Sequence, residues 1–274
     1  MSLPRDVLAR GAERLAAAGI ENARLDARVL LTHAADDLVL YDRLLARRIA
    51  REPVTYITGT KEFWSLALDV GPGVLVPRPE TETLIEQACR EFPDRAAPLH
   101  AIDFGTGSGA ILAAFLCEFP NARGLGIDDS PEALVWAERN IAKLGLSGRC
   151  ELALADWTRA PETSFDVILS NPPYLTTAEV ETAPPELGYE PRGALDGGTD
   201  GLAAYRALAP LIAGRLKLRG HAFLEIGAGQ GDAVTAILAA AGLEIVRIVP
   251  DLAGIPRCVV VVPEKTVGKV SPSL

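Results

Sequence analysis

Basic residues are in short supply in this chain. Its 274 residues hold 27 Lys and Arg against 36 Asp and Glu, a formal charge of −9. That balance argues against a protein that lives on nucleic-acid phosphates, because such binding draws on clustered cations that release counterions. Cysteine is scarce as well. Cys89, Cys117, Cys150 and Cys258 are widely spaced, sit in apolar patterns and form no C-x-x-C pair, so they read as buried free thiols of a reducing compartment. The three histidines, His33, His100 and His221, fall on separate segments without ligand spacing, which points to structural roles and to no metal. No charge-free apolar stretch approaches about 18 residues, and the N-terminus has neither a signal-peptide core nor transit-peptide character. The expectation is a cytoplasmic protein with no membrane contact.

What is present is strongly organised. Residues 4–51 carry helical periodicity through Val7, Leu8, Leu15, Leu25, Val29, Leu30, Leu38, Leu44, Leu45 and Ile49, with breaks at Gly19 and around Asp36. A small helical bundle is expected. Two β-rich arms then flank Gly71-Pro72-Gly73, the pattern of a hairpin, and Pro79 with its acidic neighbours suits a helix start. From residue 99 onward strands at 99–104, 123–127, 150–155, 167–170, 222–226, 243–249 and 258–262 alternate with helices at 110–118, 131–144, 202–213 and 233–241. Such alternation predicts an α/β fold, a mostly parallel, doubly wound, Rossmann-like sheet. The division expected is a helical bundle over 1–60, a hairpin linker over 61–78 and an α/β domain over 79–274.

Chemistry concentrates where strands end. In "AIDFGTGSGA" Gly105, Gly107 and Gly109 follow a strand and precede a helix, so backbone can approach a ligand at the helix N-terminus. Thr106 and Ser108 belong to the same loop. About 20 residues further on, Asp128 ends the next strand, where a carboxylate can take both hydroxyls of a ribose. The third glycine of a dinucleotide fingerprint is replaced by Ala110, and the G-x-G-x-G spacing suits adenosylmethionine better than a pyrophosphate. Trp157, after Asp156 at the end of the following strand, fits either an adenine contact or the domain core. The stretch "FDVILSNPPYL" is the most unusual. An apolar strand stops on Asn171-Pro172-Pro173-Tyr174, and two prolines leave the sheet as a stiff segment whose carbonyls lack competing N–H donors. Glu80 and Glu82 suit either a helix dipole or a place near a cofactor, and Arg78 can pair with them. The long Pro/Gly-rich loop "ETAPPELGYEPRGALDGG" reads as a lid, with Glu190, Arg192 and Asp196 as internal ion pairs.

Together these stretches resemble the release factor glutamine methyltransferase family (HemK/PrmC), a class I methyltransferase group, along nearly the whole chain. The resemblance runs through "REPVTYITGTKEF", "VLVPRPETETLIE", "DFGTGSGAI", "SPEAL", "SNPPY", "YEPRGALDGGTDGLAAYR", "FLEIGAGQ" and "DLAGIPR", in that order. Asp129 stands at a position the family varies. The resemblance implies a seven-stranded sheet and S-adenosyl-L-methionine held by Gly105, Thr106, Gly107, Ser108, Gly109, Asp128, Trp157 and Asn171. It implies methylation of the glutamine amide in the Gly-Gly-Gln motif of peptide chain release factors, in support of translation termination, by a monomer without stable nucleic-acid binding. The bundle would recognise the protein substrate. In this reading Asn171 and the Pro172 carbonyl accept the two amide hydrogens, Pro173 stiffens the segment and Tyr174 packs on the amide plane. A nucleic-acid methyltransferase acting on an exocyclic amine is the first rival, and a non-catalytic binding module the second.

Overall fold

The computed structural model describes residues 5–35 and 37–264. Three helices, α1 (Arg5–Ala17), α2 (Ala23–His33) and α3 (Leu38–Ile49), and the short α4 (Val54–Thr58) make the expected bundle. The break at Gly19 is a left-handed turn with φ 75°, whereas Asp36 lies outside the described residues. Asp37 caps α3, its carboxylate accepting the N–H groups of Val39 and Leu40. The buried stripe of α2 differs from the one expected. Ala23, Ala27, Leu30 and Leu31 face inward, while Leu25 and Val29, with Leu38 at the start of α3, are exposed. Small alanines let the helices approach closely, so the larger side chains one position away turn to solvent.

Strands β1 (Thr60–Phe63) and β2 (Leu66–Asp69) form an antiparallel hairpin in which Phe63 faces Leu66. Its turn is therefore Trp64-Ser65, not Gly71-Pro72-Gly73. Both residues have positive φ, 51° and 59°, the geometry of a type I′ turn that glycine or asparagine usually supplies. Side chains hold the strained turn in place: the Trp64 N–H donates to Glu82 and its indole N–H to Glu118, each at 2.8 Å. Gly71 lies beyond the hairpin, where the Trp136 ring leaves no room for a Cβ. Phe63 and Leu68 are fully buried in the same core cluster as Leu84, Ile85 and Phe115, so the hairpin packs into the α/β core.

Helix α5 (Glu82–Glu91) follows a 3-10 turn at Pro79–Thr81. The α/β alternation then runs β3 (His100–Phe104), α6 (Ala110–Glu118), β4 (Arg123–Asp128), α7 (Pro131–Lys143), β5 (Cys150–Leu154) and β6 (Phe165–Ser170). After α8 (Thr177–Glu181) come α9 (Ala203–Arg215), β7 (Leu216–Glu225), α10 (Gly231–Ala240), β8 (Leu243–Pro250) and β9 (Pro256–Pro263). The seven strands order as β5-β4-β3-β6-β7-β9-β8, parallel except for β9, which runs antiparallel to both neighbours. One core lies under α5 and α6 and the other under α9 and α10, which is the class I methyltransferase architecture. The winding reverses between β3 and β6, so the carboxyl ends of those two strands open the crevice where open α/β sheets bind ligands. No helix among the described residues is long and apolar enough to cross a membrane. Cys150 and Cys258 are buried as expected, but Cys89 is half-buried and Cys117 is exposed near the C-terminal end of α6.

Candidate active site

A cavity of about 400 Å³ opens at this switch point, within the usual range for small-molecule sites. Its floor is the glycine loop. Gly105, Gly107 and Gly109 all have positive φ, 74°, 55° and 77°, which lets the chain double back from β3 into α6. Gly109 does not face the cavity; a Cβ there would press on the Ala137 backbone at 3.4 Å, so it serves the close packing of α6 on α7. Gly105, Thr106, Gly107 and Ser108 line the cavity, and the Ser108 carbonyl accepts a hydrogen bond from buried Asn140, which also ties down Asp69.

Asp128, at the end of β4, accepts the Gly107 N–H at 2.8 Å with one oxygen and the Ser130 N–H at 2.9 Å with the other. Ser130, not Asp128, caps α7. Burial raises the Asp128 pKa against the pull of those two amides. The carboxylate thus braces the loop and lies on the cavity wall beside Asp129. Trp157 lines the cavity as well, with its ring 3.8 Å from where a Gly105 Cβ would sit, and it packs against the core under α9. The ring thus packs on the domain core and is also part of the cavity lining. Asp156 caps the 3-10 turn that presents it, accepting the Thr158 N–H.

Beneath the loop lies a residue not singled out from the sequence. Asp103 is fully buried, accepts the Thr106 hydroxyl at 2.8 Å with Oδ2, and leaves Oδ1 without a partner among the described residues. Burial, with the Asp128 carboxylate adding to it, pushes its pKa up to about 7 from 3.8. Below about 4 both folded and unfolded chains carry this proton. As pH rises toward 7 the unfolded chain releases it first, so stability falls across that window and stays reduced above it. Asp103→Asn should therefore gain stability over the parent on the order of 3 kcal/mol more at pH 8 than at pH 4. Calorimetric melting of both chains at the two pH values checks this.

At the opposite wall, Asn171 and Pro173 face the cavity while Pro172 is buried and Tyr174 is not on the cavity lining. The Asn171 Nδ2 group donates to the Thr81 hydroxyl at 3.1 Å. Its Oδ1 has no donor among the described residues, and neither has the Pro172 carbonyl. Tyr174 turns inward, its hydroxyl donating to Glu225 Oε1 at 3.2 Å, and burial raises its pKa. The sheet interior claims this ring because the Glu225 carboxylate there needs donors. Thr81 supplies the second, donating to Glu225 Oε2 at 2.5 Å.

Above the cavity runs the Pro/Gly-rich loop, ordered and tied down. Glu186 pairs with Arg48 at 3.0 Å and Arg51 at 2.9 Å on the bundle side, and the Tyr189 hydroxyl donates to the Ala50 carbonyl. Glu190 is buried, accepting from Arg78 at 2.6 Å and the Val76 N–H at 2.9 Å. Arg78 thus pairs with the loop, not with Glu80 or Glu82. Arg192 does pair internally, with Asp196. Pro191, Gly193 and Ala194 roof the cavity. Among the described residues no cluster of His, Cys, Asp or Glu has metal-site geometry.

The chain matches a family model described as "Methyltransferase domain" over residues 97–197 and one described as "PrmC N-terminal domain" over residues 6–36. A release factor glutamine methyltransferase of Caulobacter vibrioides is 44% identical over 266 residues, which is 90% of this chain and 92% of that protein. The chain belongs to the release factor glutamine methyltransferase family. A second member, from Cereibacter sphaeroides, is 42% identical over 93% of this chain and 96% of its own length. A solved methyltransferase from Pyrococcus furiosus aligns with a TM-score of 0.53 at 17% identity, covering 81% of this chain and 94% of that one, a likeness of fold alone. In this member of the release factor glutamine methyltransferase family, Thr81, Asp103, Asn140 and Glu225 are the site residues that sequence reasoning missed.

One expectation follows for the glycine-loop wall. Asp128→Ala should weaken adenosylmethionine binding by roughly 1–3 kcal/mol, since it removes a charge-assisted acceptor and loosens the Gly107 turn together. Titration calorimetry checks this, and unchanged affinity would move the role to Asp129.

Proposed function

We propose that the protein methylates the side-chain amide nitrogen of the glutamine in the Gly-Gly-Gln motif of peptide chain release factors, with S-adenosyl-L-methionine as methyl donor. The observation that carries this reading is Asn171. It stands at the switch point, its N–H spent on Thr81 and its oxygen left free on the wall of a cavity braced by Asp128. Membership of a family whose curated relatives carry that name supports the substrate. The cavity residues fit the cofactor: a glycine loop at a helix N-terminus, a buried carboxylate about 20 residues further along the chain, and an indole face. We assign the cofactor to Gly105, Thr106, Gly107, Ser108, Asp128 and Trp157, with Gly109 shaping the loop.

When bound, adenosylmethionine supplies an electrophilic methyl group on a sulfonium. The chain's own task is the nucleophile. An amide nitrogen delocalises its lone pair into its carbonyl, and it reacts when it is oriented and when its hydrogens are held by acceptors. Asn171 Oδ1 and the Pro172 carbonyl supply those two acceptors, Pro173 keeps their spacing, and Tyr174 anchors the segment through Glu225. Proximity and alignment of this kind are worth about 7–11 kcal/mol, and no strong general base is required. The strap over 185–194 covers part of the cavity with Pro191, Gly193 and Ala194 and, through Glu186, is linked to the bundle. We assign the bundle, within residues 1–60, to recognition of the release factor by a monomeric enzyme.

A nucleic-acid amine presents the same planar N–H₂, and the acidic balance disfavours it. Labelled cofactor offered together with purified release factor, RNA and DNA decides between them. Label should enter the release factor; label in nucleic acid and none in the release factor would overturn the assignment.

A further inference from the structure

Asn171 is useful as an acceptor in one of its two amide orientations, and nothing about its own geometry chooses between them, since amide oxygen and nitrogen are nearly the same size. The choice comes from a chain of hydrogen bonds running into the sheet. Glu225, at the end of β7, is 1% exposed and receives two hydroxyl donors, Thr81 at 2.5 Å on Oε2 and Tyr174 at 3.2 Å on Oε1. Thr81 has a single hydroxyl hydrogen, and an ionised carboxylate offers none. When Glu225 is ionised, that hydrogen must point at Glu225. The Thr81 oxygen is then an acceptor toward Asn171, so the nitrogen of Asn171 faces Thr81 at 3.1 Å and its oxygen faces the cavity.

We propose that Glu225, acting through the Thr81 hydroxyl, sets the orientation of the Asn171 amide, and that protonating Glu225 reverses this hydrogen-bond chain and turns the amide over. With a proton on Oε2, Glu225 donates to Thr81, the Thr81 hydroxyl donates to Asn171 Oδ1, and the Asn171 N–H₂ is presented to the substrate. Two N–H₂ groups then face one another and the site rejects its substrate. Glu225 and Thr81 are positioning residues, and the inference rests on the amide-methylation reading above.

The groups around Glu225 place the switch near neutrality. Burial is the main influence raising its pKa, to about 7, and Glu80 on the Pro79–Thr81 turn adds to it. The Thr81 and Tyr174 hydroxyls and Arg257 on β9 oppose this. The Tyr205 hydroxyl on α9 donates to the Glu225 backbone carbonyl at 3.0 Å, and the Cys258 thiol on β9 lies beside it; both stay protonated, since burial raises both pKa values. Asp103, the other group raised to about 7, lies under the glycine loop, and saturating cofactor separates its effect from that of Glu225.

The test is the single-turnover rate of methyl transfer to release factor, at saturating cofactor and saturating substrate, across about two pH units on either side of 7. The parent rate should rise about tenfold or more through this range. Glu225→Gln should flatten that rise, because a neutral amide carries no titrating proton. Thr81→Val should lower the rate at least tenfold at high pH and remove the pH dependence as well, whereas Thr81→Ser should retain both rate and profile. Cofactor affinity by calorimetry should change less than threefold in the Thr81 variants, which shows that they fold. If Thr81→Val keeps the parent rate and profile, or Glu225→Gln keeps the rise with pH, the inference is overturned. If instead the parent transfers no methyl group to release factor at any pH, it is the proposed function that fails.

Discussion

Replacing Asn171 by alanine should lower the single-turnover rate of methyl transfer about 10²-fold or more, with cofactor affinity largely preserved. The side chain touches the cavity at the wall opposite Asp128 and takes no part in the glycine-loop network, so its loss falls on the nucleophile. One hydrogen of the substrate amide is left unpaired in a water-poor site and the nitrogen is free to rotate. Each 1.36 kcal/mol of transition-state stabilisation lost is tenfold in rate, and an unmade buried hydrogen bond with lost alignment amounts to about two such steps. Asn171→Asp is the sharper variant. It keeps an oxygen toward the cavity, but it sets a carboxylate against the Thr81 oxygen in place of a donor, near ionised Glu225. Some turnover is expected, reduced most at high pH. Calorimetry with adenosylmethionine beside rapid-quench transfer assays checks both variants, and near-parental transfer by Asn171→Ala contradicts the mechanism.

The second large effect is on the join between bundle and strap. Arg48 is buried, pairs with buried Asp26 at 2.8 Å and with Glu186 at 3.0 Å, and also donates to the Glu52 carbonyl. Arg48→Met fills the space but leaves the Asp26 carboxylate without its cation. Removing one partner of a buried pair costs about 3–5 kcal/mol, most of it the penalty of the stranded charge. Because Arg51 still holds Glu186, the strap should stay in place while the bundle loses stability. Denaturant unfolding should show this loss, and Asp26→Asn placed in the same chain should recover much of it. A loss below about 1 kcal/mol would mean that the pair is solvated and contributes as a surface pair does.

What could be read from the chain beforehand depended on how local the physics is. The α/β alternation, the glycine loop and Asp128 were legible because a parallel strand is a continuous apolar run and because glycine is needed where φ is positive. Strand β3, an apolar run that gives way to Gly105 at φ 74°, shows both features at once. The hairpin turn was misplaced because Gly71-Pro72-Gly73 carries the usual turn residues, while the actual turn, Trp64-Ser65, is held by Glu82 and Glu118 from elsewhere in the chain. Exposure of Leu25 and Val29 depends on which helix faces meet, which periodicity alone leaves open between neighbouring stripes. Arg78 was matched with its sequence neighbours, yet its partner Glu190 is 112 residues away. Glu186 meets Arg48 across 138 residues, and no local pattern announces such a contact. Thr81 and Glu225 were hidden for the same reason: each looks like a helix-start or strand-end residue until the fold brings them to Asn171.

Recognition of a glutamine side-chain amide at this site is read out by the position of the transferred methyl group. Release factor incubated with the protein and adenosylmethionine should be digested and its peptides mapped by mass spectrometry with fragmentation. One methyl group is expected, on the side-chain nitrogen of the glutamine in Gly-Gly-Gln, and none when that glutamine is replaced by glutamate. A methyl group found on a lysine, on a backbone amide or on any other residue, with the Gly-Gly-Gln peptide unmodified, would contradict it.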